Sequence, residues 1–289
     1  MKRTIHRGAA IIAAGTAGAL VLTIAPTAAA AGSGPSTAER VATVVERTTG
    51  TADISRDGQS GVTTPATADG TISAAAVDGS RISIRLPGAG SSNAAETGTG
   101  TIVYPGAAKN ADLAVQPTAQ GVRALITINN ANAAKEYRFG LGLPDGATAE
   151  QLDGGGVLVT KGEDVLGMFD APWAKDADGE AVPTSYRVEG GALVQTVQFD
   201  ESTAFPVVAD PWWNTAWKWT KCAAAVAVAF FPAAKAYKAI KALGGAKETA
   251  KLLWGARTKG DFIKHAKKAG KNGAVEILGI AGVESYCFK

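Results

Sequence analysis

Histidine is almost missing from this 289-residue chain, which has only His6 and His265, and cysteine is as scarce, at Cys222 and Cys287. His6 falls in a segment that reads as removed on export, so a Ser–His–Asp site would have to be built on His265 alone. Cys222, Cys287 and His265 lack the spacing of a zinc site. Charged residues make up 19% of the chain, below the usual quarter. No phosphate-cradling glycine loop opens a helix: Gly154-Gly155-Gly156 runs straight into the strand-like Val157-Leu158-Val159 and reads as a turn. No long internal repeat is present. Ordinary enzyme chemistry is therefore not expected, and no catalytic, cofactor-binding or metal-binding residue is assigned.

The remaining polar clusters have plain explanations. His265 lies among Lys264, Lys267 and Lys268 and reads as part of a solvated basic helix face. Asp176-Ala177-Asp178-Gly179-Glu180 resembles the start of a calcium loop but lacks the later ligands and the closing acid, so a hairpin turn is expected. Glu163-Asp164 and Asp200-Glu201 also sit in turns, without the facing geometry of a glycosidase. A hydrolase would need a pocket of converging carboxylates, which the sequence does not display.

The N-terminus carries a secretory signature. Lys2, Arg3 and Arg7 form a positive start, and no charge follows from Gly8 to Gly34. The apolar stretch ends in Pro26 and the small-residue run Ala28 to Ala31, which predicts cleavage after Ala30 or Ala31 and an extracellular protein. An uncleaved anchor is the alternative. Export places Cys222 and Cys287 in an oxidising space, where an even count predicts a bridge; free thiols or bridges between chains are the alternative.

After this signal peptide (1–31), residues 32–69 read as flexible or partly helical, with Val41, Val44 and Val45 on one face of a short amphipathic helix. Residues 70–211 read as an acidic β-rich domain. Arg81 to Leu86 alternates apolar and polar residues, and Val122–Ile128, Tyr137–Phe139, Val157–Val159, Ser185–Val188 and Leu193–Phe199 read similarly, separated by turns such as Asp78-Gly79 and Gly190-Gly191. Many short strands without interleaved helices argue for an antiparallel sandwich. At Asp210-Pro211-Trp212-Trp213 the pattern breaks, and residues 212–289 read as a basic helical module. Helices are expected over Cys222–Phe231, around Tyr237, Ile240 and Leu243 up to Gly244-Gly245, and over Ala246–Trp254, Phe262–Ala269 and Ala274–Ile280. The expected class is α+β: an N-terminal all-β antiparallel, sandwich-like domain followed by a small all-α C-terminal bundle.

Charge divides along the same boundary. Residues 32–213 hold 12 Lys/Arg and 22 Asp/Glu, whereas residues 214–289 hold 14 Lys/Arg and 4 Asp/Glu. Either the acidic part holds or shields the basic one, or the two are separate modules whose charges are unrelated. A basic helical module on an exported protein points to an anionic membrane or cell-wall polymer, and nucleic acid is not expected. The expected contact residues are Lys235, Lys238, Lys241, Lys264, Lys267 and Lys268, with Trp217, Trp219 and Trp254 as interfacial indoles. Trp212 and Trp213 read better as a seam between the two parts. The uncharged run Cys222–Ala234 reaches only about 20 Å against about 30 Å of hydrocarbon, so it would not cross a bilayer alone.

Tyr104-Pro105-Gly106 with Asp112-Leu113, Arg138-Phe139 and Leu143-Pro144, and above all Phe205-Pro206-Val207-Val208-Ala209-Asp210-Pro211-Trp212-Trp213, carry a further likeness. Over about residues 70–289 the chain resembles a family of uncharacterised secreted proteins of high-GC Gram-positive bacteria, in which a β-rich region ends in a Val-x-Asp-Pro-like motif and a short helical tail closes near a terminal Cys. Related β regions precede variable C-terminal modules in larger secreted toxins. The family brings no established activity and no catalytic residues. The charge split, the Cys222/Cys287 bracket and the short uncharged helix point instead to an exported, non-enzymatic protein, bacteriocin-like or membrane-active through its cationic tail; the alternative is a structural or envelope-associated binding protein without toxic activity.

Overall fold

The computed structural model describes residues 35–51, 53–54, 61–88, 90, 92–119, 121–152, 155–162, 164–215, 222, 226, 237–256, 258–268, 277–279, 283 and 287–288. The expected signal peptide lies outside them. Pro35–Lys289 form one compact unit.

Helix α1 (Thr37–Thr49) opens on Ser36, whose hydroxyl accepts from the Glu39 N–H while the Glu39 carboxylate accepts from the Ser36 N–H. This reciprocal cap satisfies two otherwise orphaned donors. Gly50, at φ 67°, ends the helix in the left-handed conformation. Ala38, Val41, Ala42 and Val45 are the buried face.

The strands are all paired antiparallel. One sheet has the order β1 (Thr71–Ala75), β2 (Arg81–Arg85), β7 (Glu136–Gly142), β13 (Ala192–Val197), β12 (Thr184–Glu189). The larger has ten strands. Its main path runs β3 (Ala95–Glu96), β4 (Ile102–Ala108), β5 (Ala111–Thr118), β6 (Gly121–Ile128), β15 (Trp212–Asn214), β10 (Asp164–Phe169), β9 (Val157–Lys161), β8 (Ala147–Gln151). Off this path, β14 (Val207–Ala209) pairs with both β6 and β11 (Ala174–Lys175). Ile72, Ile84, Phe139 and Leu193 from the first sheet share one core with Leu113, Ile126, Phe169 and Trp213 from the second. The fold is β-sandwich-like, as the period-two alternation predicts.

The far face of the large sheet is covered by helices, giving a third layer. Val103, Ala114, Leu125 and Val208 pack against α1. Strand β5 is consequently buried on both faces and shows no alternation, which is why it was not legible as a strand.

The sheet also runs past the break expected at Pro211. Strands β14 and β15 lie end to end along β6, and the Ala124 N–H donates to the Pro211 carbonyl between them at 2.8 Å. A proline lacks an N–H but keeps its acceptor, so it fits at this irregular junction. Trp212 to Asn214 therefore belong to the β body rather than to the helical module.

In the C-terminal part, α2 (Tyr237–Ala242), α3 (Ala246–Gly255) and α4 (Lys259–Lys268) follow the expected helices closely, and Gly244 and Gly245, at φ 97° and 100°, end the first of them. Ile240, Leu243, Leu253, Phe262, Ala266, Ile277 and Val283 share a second core with Cys222 and Cys287. The two cysteines form the expected disulfide, with Cα atoms 4.7 Å apart. Most of Cys222–Phe231 and Ala274–Ile280 lies outside the described residues. No described helix is long and apolar enough to cross a membrane.

Candidate functional site

The C-terminal part meets the β body through α3. Ala250 is buried against Leu158 and Met168, outward-facing residues of β9 and β10. Beside this contact, Lys251 Nζ pairs with Glu150 of β8 and, at 3.1 Å, with Glu248; Lys247 Nζ reaches Glu150 at 3.3 Å. The two lysines are four apart, so both project from one side of the helix. Lys251 is only 11% exposed, so its charge is held largely out of water by two carboxylates. The hydrogen bond from Lys251 is the main reason the Glu150 carboxyl sits below its ordinary range, with Lys247 adding to it.

The expected surface residues divide into two groups. Lys238, Lys241, Lys264, Lys267 and Lys268 are exposed, whereas Ile240, Phe262 and Ala266 on the same helices are buried. Lys235, Trp217 and Trp219 lie outside the described residues, as does the side chain of Trp254 on α3. Neither tryptophan of the expected seam behaves simply. Trp213 is buried in the sandwich core, 5.2 Å from Phe169 between ring centres. Trp212 faces outward, with the Arg123 guanidinium 4.4 Å above its ring.

A cleft of about 660 Å³ opens next to the α3 contact. Trp173, Trp212 and Met168 of the β body line it with Leu252 of α3, and Glu150, Asp170, Glu248, Lys251 and His265 bring polar groups to its walls. His265 is exposed on α4, as expected of a basic face, yet it also borders this cleft; Asp261 lies one turn before it. The carboxylates do converge here, but Glu150 and Glu248 are engaged by Lys251. Asp170 accepts from Asn214 Nδ2 at 3.0 Å. Glu150 is held towards its ionised form, opposite to what a general acid requires.

Deeper in the fold, Asp210 of the Asp-Pro-Trp-Trp segment is fully buried. One carboxylate oxygen accepts from the Trp173 N–H at 3.0 Å and from Gln195 Nε2, on the opposite sheet, at 3.1 Å. Burial pushes its pKa up to about 7 despite these donors. Burial, and next the nearby Asp210 charge, pushes the Tyr186 hydroxyl well above its usual range. The Asp176–Glu180 segment is the expected turn: Asp176 Oδ1 accepts from the Asp178 and Glu180 N–H groups. No group of metal-binding side chains occurs among the described residues.

Sequence reasoning missed Glu150, Lys247, Lys251, Asp170 and Trp173. The Lys247/Lys251 spacing was a usable signal for a charged helix face, but nothing local marks Glu150 as its partner. Comparison with known proteins finds no matching family model, no matching curated protein and no matching solved structure.

Proposed function

We propose that this is an exported, non-enzymatic binder of anionic envelope surfaces, membrane or cell-wall polymer, in which an acidic β body carries a small all-α, cationic C-terminal bundle. The observation that supports the reading is the division of labour among the lysines. Lys247 and Lys251 turn onto Glu150 and dock the helices, while Lys238, Lys241, Lys264, Lys267 and Lys268 remain exposed. The docking pairs fix the helices on the acidic partner, and the exposed lysines are left to meet an external polyanion. Each lysine near an anionic leaflet contributes about 1 kcal/mol, and the contribution falls with salt. The Cys222–Cys287 bridge fits an oxidising compartment.

The test is co-sedimentation of the full chain with phosphatidylglycerol-containing vesicles, and separately with purified anionic wall polymer, at rising salt. Binding to one of them is expected, and replacing Lys264, Lys267 and Lys268 together by Gln should weaken it by about a hundredfold at low salt. Binding to neither, or binding indifferent to salt, sinks the proposal. A bacteriocin-like, membrane-active role is the stronger form of the same idea and would require α3 to leave Glu150. Dye release from anionic vesicles that rises in Glu150→Lys favours it; binding without release favours the envelope-binding form.

A further inference from the structure

The cleft beside α3 is separate from the exposed lysine face and has a chemistry of its own. The geometry points to a binding site for a neutral saccharide, one or two sugar rings seated against Trp173 and Trp212. Its volume of about 660 Å³ lies within the range of small-molecule sites.

Charge decides against an ionic ligand. Glu150, Asp170 and Glu248 bring three carboxylates to the walls. Lys251 lies among them, Lys247 reaches Glu150, and Arg123 stacks on Trp212 and feels the charge of Asp170. Among the described residues, the three carboxylates are thus matched by Lys251 in the wall and by Lys247 and Arg123 beside it. A charged ligand would have to displace one partner of a pair, leaving the other poorly compensated in a partly dry site. A neutral ligand leaves every pair in place.

Hydrogen-bonding capacity decides against a purely apolar one. An ionised carboxylate offers about four acceptor positions, so Glu150 and Glu248 can each take a ligand hydroxyl beside their lysine contacts. The His265 ring nitrogens add a donor and an acceptor. A hydrocarbon body would desolvate these groups without replacing their water. A sugar supplies alternating hydroxyls for them, and its C–H-rich ring face suits the electron-rich indoles.

The experiment is calorimetric titration of the full chain with neutral di- and trisaccharides of glucose, galactose, mannose and N-acetylglucosamine, up to about 20 mM, with indole fluorescence followed in parallel. At least one should bind saturably with a Kd of about 1 mM and shift the emission. Leu252→Trp, which fills the cleft from the helix side, should weaken that binding at least about tenfold. Glu248→Gln should weaken it measurably while preserving the circular dichroism spectrum, which keeps the test open should Leu252→Trp misfold. Lys268→Gln, on the exposed face, should leave sugar binding unchanged, whatever it does to vesicle binding. The inference is overturned by no saturable binding across the panel, by sugar binding that ignores both cleft variants, or by benzylamine or benzoate binding there in place of sugars. Vesicle binding is read independently, so either proposal can fail without the other.

Discussion

Asp210 is the residue whose surroundings make the sharpest demand. It is buried between the sheets, hydrogen-bonded to Trp173 and Gln195, and titrates near 7 rather than near 4. Its folded-state pKa is raised, so its contribution to stability is fully present below about pH 4 and is lost as pH rises through about 7. Within that window the loss approaches about 1.4 kcal/mol per pH unit. Asp210→Asn keeps an acceptor oxygen for both donors and cannot ionise. Urea unfolding at pH 5 and pH 8 should show the parent chain losing about 2–3 kcal/mol relative to the variant. Equal changes in both would show that Asp210 does not carry the effect. Packing at Gly167 gives a second test. A Cβ there would sit 2.5 Å from the Trp213 ring, so Gly167→Ala should cost about 1–3 kcal/mol in the same assay.

At the scale of elements, the two helical contacts on the large sheet differ in kind. Helix α1 is held by apolar packing and by its cap, and Ser36→Ala should cost about 1 kcal/mol, measured as a lower urea midpoint. Helix α3 is held by Ala250 and the Glu150–Lys pairs. Glu150 is about half exposed, so Glu150→Ala should loosen α3 by only about 1 kcal/mol, seen as faster proteolysis between α2 and α4. Its carboxyl titrates below the ordinary range, so this contribution persists above about pH 4 and fades only under stronger acid. Strands with one wet face, such as β2 and β12, were legible because their alternation survives in the sequence. Strand β5, covered on both sides, was not, because burial removes the alternation on which the reading depends. The helices were legible from spacing and from the Gly244-Gly245 stop. Their partner was not, because Glu150 and Lys251 are a hundred residues apart in the chain and only the fold brings them together.

Over the whole molecule, one covalent link and one strand decide how the C-terminal part is retained. The Cys222–Cys287 bridge spans 65 positions, and opening it should reduce stability by about 4 kcal/mol in the chain-entropy view. Reduction should therefore make residues beyond 222 sensitive to trypsin while the strands stay resistant; equal resistance with and without reductant would count against a structural role for the bridge. Strand β15 has a different consequence. It lies inside the large sheet, bonded to β6 on one side and β10 on the other. A pull applied to the C-terminal helices would load those two rows of hydrogen bonds in shear, all at once, instead of peeling them open from an edge. If the protein tethers something against flow, the attachment should give way at its grip on the target before it gives way at its own backbone.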